Sequence, residues 1–279
     1  MQVFFVRRGW ILVAILLLAQ VLLAWNADGL LKMVSAEPPV TGPQLAWLAG
    51  LALVFAGVLA VGLAINGRWS GAFIDSRNRY SISQVQAVMW LVVIASGVVA
   101  AAVGNVFHRV ESPLDLSIPP ELLAIIGLSV TTLVGTPVVR DIKRGQNPDP
   151  DQKNRTLQSL GRMDAVTTGA VVSFVEPEQT GWADLVRGEE TGNANKVDLG
   201  KLQLLYISAV VIFVYCAALF ANLGLGPDTS GAATPLVFPA IDASFIGLLG
   251  LSHAGALAYL AAPHTDSANS PTPSPAPNP

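Results

Sequence analysis

Six stretches of this chain contain no Lys, Arg, Asp or Glu over 18 to 24 residues. A helix of about 20 apolar residues crosses the hydrocarbon core of a bilayer. Only 13% of the residues are charged and 52% are hydrophobic, whereas a soluble domain carries about 25% charged residues. We therefore predict an all-α integral membrane protein with six transmembrane helices, at residues 9–27, 45–67, 84–107, 122–139, 202–224 and 243–262.

The first stretch has a second interpretation, because Arg7 and Arg8 followed by an apolar run are also typical of a signal peptide. Residues 22–27 do not offer the pair of small residues that a cleavage site requires. We expect an uncleaved span.

The basic residues predict the orientation of the spans. With the N-terminus inside, the outer loops hold only Lys32 and Arg109, and the other 14 of the 16 basic residues lie inside. This places both termini in the cytoplasm, an N-in/C-in arrangement.

Spans three to six have the pattern of a duplication. Span three begins near Gln86 and span five near Gln203, while Gly-Leu-Ser recurs at 127–129 and 250–252. Two helical hairpins repeated in the same orientation would be related by an axis along the membrane normal. The alternative is that unrelated hairpins share such small and polar residues. The predicted organisation is an N-terminal hairpin (1–70), a first repeat hairpin (71–140), a polar cytoplasmic segment (141–197), a second repeat hairpin (198–264) and a disordered tail (265–279).

The polar segment contains two short apolar pieces. Residues 169–175 are too few to span a membrane and predict a strand or a packed turn. Trp182, Leu185 and Val186 fall on one helical face and predict a short helix lying on the inner membrane surface. A loop packed under the bundle is an equally good interpretation. Residues 144–151 have the composition of a flexible linker.

Polar residues inside the spans are the candidate functional residues. His253 lies near the middle of span six, where an ionisable group usually has a function. The small and hydroxyl residues Ser129, Thr132, Thr136 and Ser252 follow helical spacing, and Gln86 and Gln203 lie near the inner interface. Such residues form close helix contacts or line a polar path, and both readings remain open.

We find no catalytic motif, cofactor motif or metal cluster in the sequence. The three histidines are scattered, and the single cysteine, Cys216, lies within a span. The net charge of −3 is far from the basic patch that nucleic-acid binding requires. No acidic residue lies deep in a span, so we also expect few buried charges.

Several short motifs lie between residues 75 and 264: Tyr80 to Ser83, Gln86, Trp90, Gly127 to Ser129, Asp184 to Glu190, Gly192, Asn193, Asp198 to Lys201, Gln203, and Gly250 to Gly255. Through these residues the chain resembles a poorly characterised group of bacterial multi-pass membrane proteins. The resemblance implies a bacterial inner membrane and no particular chemistry.

The sequence therefore predicts a non-enzymatic inner-membrane protein. Its expected partners are the lipid bilayer and either further copies of itself or another membrane protein, to which it presents the polar segment. The alternative is an oligomeric channel or passive conduit lined by the Ser, Thr and His residues of spans four and six.

Overall fold

The computed structural model describes residues 2–34, 40–225 and 235–268. Seven α-helices and one small hairpin occur in these ranges. The helices are α1 (Gln2–Val34), α2 (Gly42–Asn66), α3 (Ile82–Phe107), α4 (Pro120–Arg144), α5 (Pro150–Leu160), α6 (Leu199–Leu225) and α7 (Ala243–Ala261), and the strands are β1 (Val166–Thr168) and β2 (Val171–Ser173).

Every helix except α5 is long and apolar enough to cross a membrane, which makes six in the described ranges. The chain is thus a multi-pass membrane protein, as the apolar stretches predicted, and each helix contains most of its predicted span. Large apolar side chains such as Leu18, Phe213 and Leu251 remain exposed on the helix surfaces. Lipid contact accounts for exposure of this kind.

Local sequence signals fix several helix ends. Thr41 caps α2 by accepting a hydrogen bond from the Gln44 amide, and the Gln44 side chain accepts one from the Thr41 amide. This reciprocal pair satisfies two amides that the helix itself leaves unpaired. Gly67 ends α2 in the left-handed conformation, which glycine adopts without steric cost. Asp242 caps α7 through the Ser244 amide.

The apolar core lies where α3, α4, α6 and α7 meet. It includes the fully buried side chains of Leu122, Leu219 and Leu249, together with Trp90 and Tyr215, whose rings lie 5.8 Å apart between centroids. Helix α1 packs on α2, and α2 packs on α3.

The two predicted repeat hairpins contact each other through corresponding helices. Helix α3 contacts α6, and α4 contacts α7. The duplication itself stays a prediction, as does the side of the membrane on which the termini lie. Helices α2, α4 and α7 end at one end of the bundle, and α3 and α6 begin there. We call this end of the bundle the polar end.

The connecting segment, residues 145–198, covers the polar end. Its helix α5 has no counterpart among the sequence predictions, because most of its residues are polar and only Thr156 and Leu157 have buried side chains. The predicted strand or packed turn at 169–175 contains β2, which pairs with β1 in an antiparallel hairpin.

The linker predicted at residues 144–151 is held by hydrogen bonds. Helix α5 begins at Pro150, the Asp149 amide donates to the Asp266 carbonyl at 2.8 Å, and the Ala268 amide donates to the Asn147 carbonyl at 3.0 Å. Residues 265–268 therefore belong to the folded part of the chain. The prediction of a disordered tail otherwise concerns residues 269–279, which lie outside the described residues.

Candidate functional site

A buried group of charged side chains occupies the polar end, and Glu189 lies at its centre. The Glu189 side chain is only 2% exposed. Arg140 of α4 donates to both of its oxygens, from Nε at 2.5 Å and from Nη2 at 2.8 Å. Arg77 Nη1 lies 3.0 Å from Oε2, and Lys201 Nζ of α6 lies 2.6 Å from Oε1. One carboxylate thus joins two spans and the loop before a third.

Asp75 adds a second carboxylate to this arrangement. Arg77 Nη2 lies 2.7 Å from Asp75 Oδ2, and Arg140 Nη1 lies 3.1 Å from the same oxygen. Each of the two arginines therefore lies between Asp75 and Glu189. This alternation offsets the cost of burying the charges, since each one faces opposite charge and hydrogen-bond partners.

Two further pairs extend the group on either side. Arg79 Nη2 lies 3.0 Å from Asp184 Oδ1, and its Nη1 donates to the Gly188 carbonyl at 3.1 Å. Lys143 of α4 pairs with Glu190 and donates to the Ala262 carbonyl at 2.7 Å, just after α7. We call the nine residues the charged cluster: Asp75, Arg77, Arg79, Arg140, Lys143, Asp184, Glu189, Glu190 and Lys201.

Glu190 also holds the chain that follows α7. Its Oε2 accepts hydrogen bonds from the His264 amide at 3.2 Å and from Thr265 Oγ1 at 3.0 Å. The charged cluster therefore contacts the polar end of α4, α6 and α7 directly and that of α3 through its preceding loop.

Neighbouring charges set the protonation of the carboxyl groups. Burial opposes ionisation of Glu189, but Arg140, Arg77 and Lys201 outweigh it and hold its pKa well below the usual range. Burial likewise opposes ionisation of Asp75, and Arg77 and Arg140 lower its pKa. Burial raises the pKa of the Asp198 carboxyl, which precedes α6, above its ordinary value.

All of the polar side chains predicted as functional except Gln203 are buried inside the bundle. Thr132 Oγ1 of α4 lies 3.0 Å from His253 Nδ1 of α7. Gln86 of α3 donates to Ser208 of α6, whereas Gln203 is exposed and lies 3.5 Å from Ser252. The structure brings Thr132 and His253 together, and it places the two glutamines against different helices.

Three of these polar atoms have no hydrogen-bond partner within the described residues: His253 Nε2, Ser129 Oγ and Gln86 Oε1. Buried polar groups of native proteins almost always have a partner, often an ordered water. The interior of the bundle therefore keeps unused hydrogen-bonding capacity.

A small cavity separates this interior from the charged cluster. Its polar lining combines Ser83, Thr132 and Thr136 with Arg140, Glu189 and Lys201 of the charged cluster. Its volume is ≈ 20 Å³, about the space that one water molecule needs. Thr132 and Thr136, which the sequence identified as candidates, thus line the same cavity as charged residues that it did not identify.

The segment predicted to form an interfacial helix is a single 3-10 turn, Trp182–Leu185. Trp182 is 63% exposed and stacks on Tyr80 with 4.5 Å between ring centroids. Leu185 and Val186 are half-buried, and Asp184 is buried against Arg79. The turn packs under the bundle through Asp184, and its contact with a membrane surface stays a prediction.

The charged cluster corrects the expectation of few buried charges. Its basic residues were interpreted only as flanks of the spans, because spacing along the chain does not show that Glu189 lies beside Arg77, 112 positions away. The sequence did contain one indication that these carboxylates are special. Glu189 and Glu190 lie between small residues in a segment rich in glycine and asparagine.

No group of three or more metal-ligating side chains occurs in residues 2–34, 40–225 and 235–268. No protein-family model, no curated protein and no solved structure matches this chain.

Replacing Glu189 by Gln should strongly destabilise the protein, because it leaves three buried cations without their shared carboxylate. We expect the free energy of unfolding to fall by about 3–5 kcal/mol, measured by denaturant titration in detergent. Asp141→Asn is the matched control, because Asp141 forms an exposed pair with Arg144 at 2.7 Å and exposed pairs contribute about 0–1 kcal/mol. Equal effects of the two substitutions would contradict the central position of Glu189.

Acid should destabilise the wild-type protein through the same carboxylate. The pKa of Glu189 is depressed in the folded state, so its contribution is complete above the ordinary value of 4.5 and is lost as pH falls through the folded-state pKa. Melting temperatures between pH 7 and pH 3 should drop below about pH 4.5 in the wild type and vary less in Glu189→Gln. Parallel curves for the two proteins would show that Glu189 does not titrate abnormally.

Proposed function

We propose that this protein is a non-enzymatic component of a bacterial inner membrane that assembles with itself or with another membrane protein. In this proposal the connecting segment lies on the cytoplasmic side and carries the contact surface. The observation that carries the proposal is the attachment of this segment to the ends of the spans by buried ion pairs.

A rigid attachment favours presentation of a fixed surface. Loops that merely connect spans are usually mobile, whereas Asp184, Glu189 and Glu190 each pair with a basic residue of a span or of the loop before α3. The segment is held on several sides and behaves as part of the bundle. Its outer face keeps one arrangement relative to the membrane.

The connecting segment exposes apolar residues that a partner could contact. Met163, Val166 and Val175 are exposed at one end of the β1–β2 hairpin, and Trp182 is exposed nearby in the chain. Exposed apolar groups on a folded surface favour protein or membrane contact where they are contiguous. The cavity beside the charged cluster holds about one water molecule, so an organic substrate does not fit there.

The cytoplasmic placement depends on the distribution of basic residues. The rule that basic loops stay inside counts Lys and Arg and gives little weight to Asp and Glu. The pairing of basic with acidic residues therefore does not weaken the cytoplasmic placement. The resemblance to bacterial multi-pass membrane proteins supports the inner membrane as the location.

Site-specific crosslinking in cells tests the assembly proposal. A photoreactive amino acid at Met163 should give one adduct of defined mass, whose composition identifies a second copy or a partner. The control position is Leu251, which is exposed on α7 and should not give this adduct. Monomer-sized bands from both positions, together with purification of a monomer without partner, would contradict assembly.

A conduit is the second candidate, favoured by the unpartnered polar atoms of the interior and the cavity above Glu189. In that case Ser129, Thr132, Thr136, Ser252 and His253 line a path, and the charged cluster closes its polar end. In this proposal the path would meet the cluster at the cavity.

Purified protein in liposomes distinguishes the conduit from assembly. A conduit should conduct ions, and His253→Ala or Ser252→Ala should change the conductance, whereas Gly127→Ala on the exposed surface of α4 should not. Liposomes that stay impermeable with the wild-type protein would eliminate this function.

A further inference from the structure

An apolar groove runs along the outer surface of α1, α2 and α3. Leu16 and Leu17 form one wall, Val88, Leu91 and Ala95 form the other, and α2 forms the floor from Leu53 to Val61. The floor is about 12 Å long, since a helix rises 1.5 Å per residue. The cavity volume is ≈ 360 Å³, and Leu17 and Leu91 at its edges are exposed.

The floor of the groove contains a glycine that helix packing does not require. A Cβ on Gly57 would meet only Leu16 Cδ1, at 3.9 Å, whereas a Cβ on Gly62 of the same helix would lie 2.7 Å from the Ala72 backbone. Glycine inside a helix is unfavourable relative to alanine. The close approach of the turn that follows α2 explains why residue 62 is a glycine. At Gly57 the missing side chain only leaves an open space in the floor of the groove.

A cation lies close in the chain to the residue that lines the polar end of the groove. Ala72, which lines the groove, belongs to the turn that begins with Arg68, and the Gly71 amide donates to the Arg68 carbonyl at 2.9 Å. Arg68 donates to the Pro177 carbonyl at 3.2 Å, and no carboxylate of the described chain forms an ion pair with it. The neighbouring Trp69 is exposed, as is typical of the membrane interface.

We propose that this groove binds one anionic phospholipid, with an acyl chain on Gly57 and the phosphate at Arg68. The apolar lining suits a hydrocarbon chain, and the arginine without a carboxylate partner suits a negative headgroup. An apolar groove beside a cation matches the two parts of one lipid molecule, so we take the occupant to be a lipid rather than a helix of a second copy.

Native mass spectrometry of the full-length protein tests this site with two probes, phosphatidylglycerol and phosphatidylcholine. The wild-type protein should retain phosphatidylglycerol preferentially. Gly57→Leu fills the groove and should weaken retention of both lipids about ten-fold or more. Arg68→Gln should weaken only the phosphatidylglycerol complex, about five-fold.

Gly127→Leu is the matched control, because Gly127 is exposed on α4 and a Cβ there meets nothing within 4 Å. Gly57→Ala adds the smallest side chain and should weaken retention in part, which covers the case that the leucine variant misfolds. The proposal is overturned if Gly57→Ala and Gly57→Leu retain lipid as the Gly127→Leu protein does, or if Arg68→Gln keeps the wild-type lipid preference. A change of oligomeric state in Gly57→Leu with unchanged lipid retention would instead assign the groove to a second copy.

Discussion

The contact of one buried carboxylate with three cations organises the polar end of this membrane protein. Glu189 comes from the connecting segment, whereas Arg140 and Lys201 come from α4 and α6 and Arg77 precedes α3. A buried charge costs several kcal/mol to desolvate and tolerates no loss of its partners. The arrangement therefore couples the positions of the helix ends to the presence of the segment. Glu190 extends this coupling to α7 through Lys143 and the chain after Ala262.

The spans were predictable because burial in lipid demands long apolar helices, and this demand is visible in any window of 20 residues. In the structure, local chemistry at Thr41, Gly67 and Asp242 fixes three helix ends. The charged cluster was not predictable in the same way, because Arg77 and Glu189 are far apart in sequence and an arginine beside a span has an ordinary explanation as a topology signal. Helix α5 was missed because it is polar on most of its surface.

Among the candidate site residues, the hydroxyl residues of α4 and α7 could be found from their helical spacing. The side chains that they contact could not be found in this way. Ser129, Thr132 and His253 were recognised as polar positions within apolar helices, and the structure places Thr132 against His253. Their relation to the cavity and to Glu189 depends on how α4 and α7 pack, which periodicity does not specify. A rigid charged cluster is compatible with both proposed functions. It would hold a contact surface in one position, and it would also close the end of a conduit.

The interaction of Glu189 with Arg140 joins the connecting segment to α4, and a double-mutant cycle measures that interaction directly. The unfolding free energies of the wild type, Glu189→Gln, Arg140→Gln and the double variant give the coupling energy of the pair. We predict a coupling of about 2 kcal/mol or more, since residues of one buried network do not act independently. Additive effects of the two substitutions would contradict the account, because Glu189 would then not be what joins the segment to the spans.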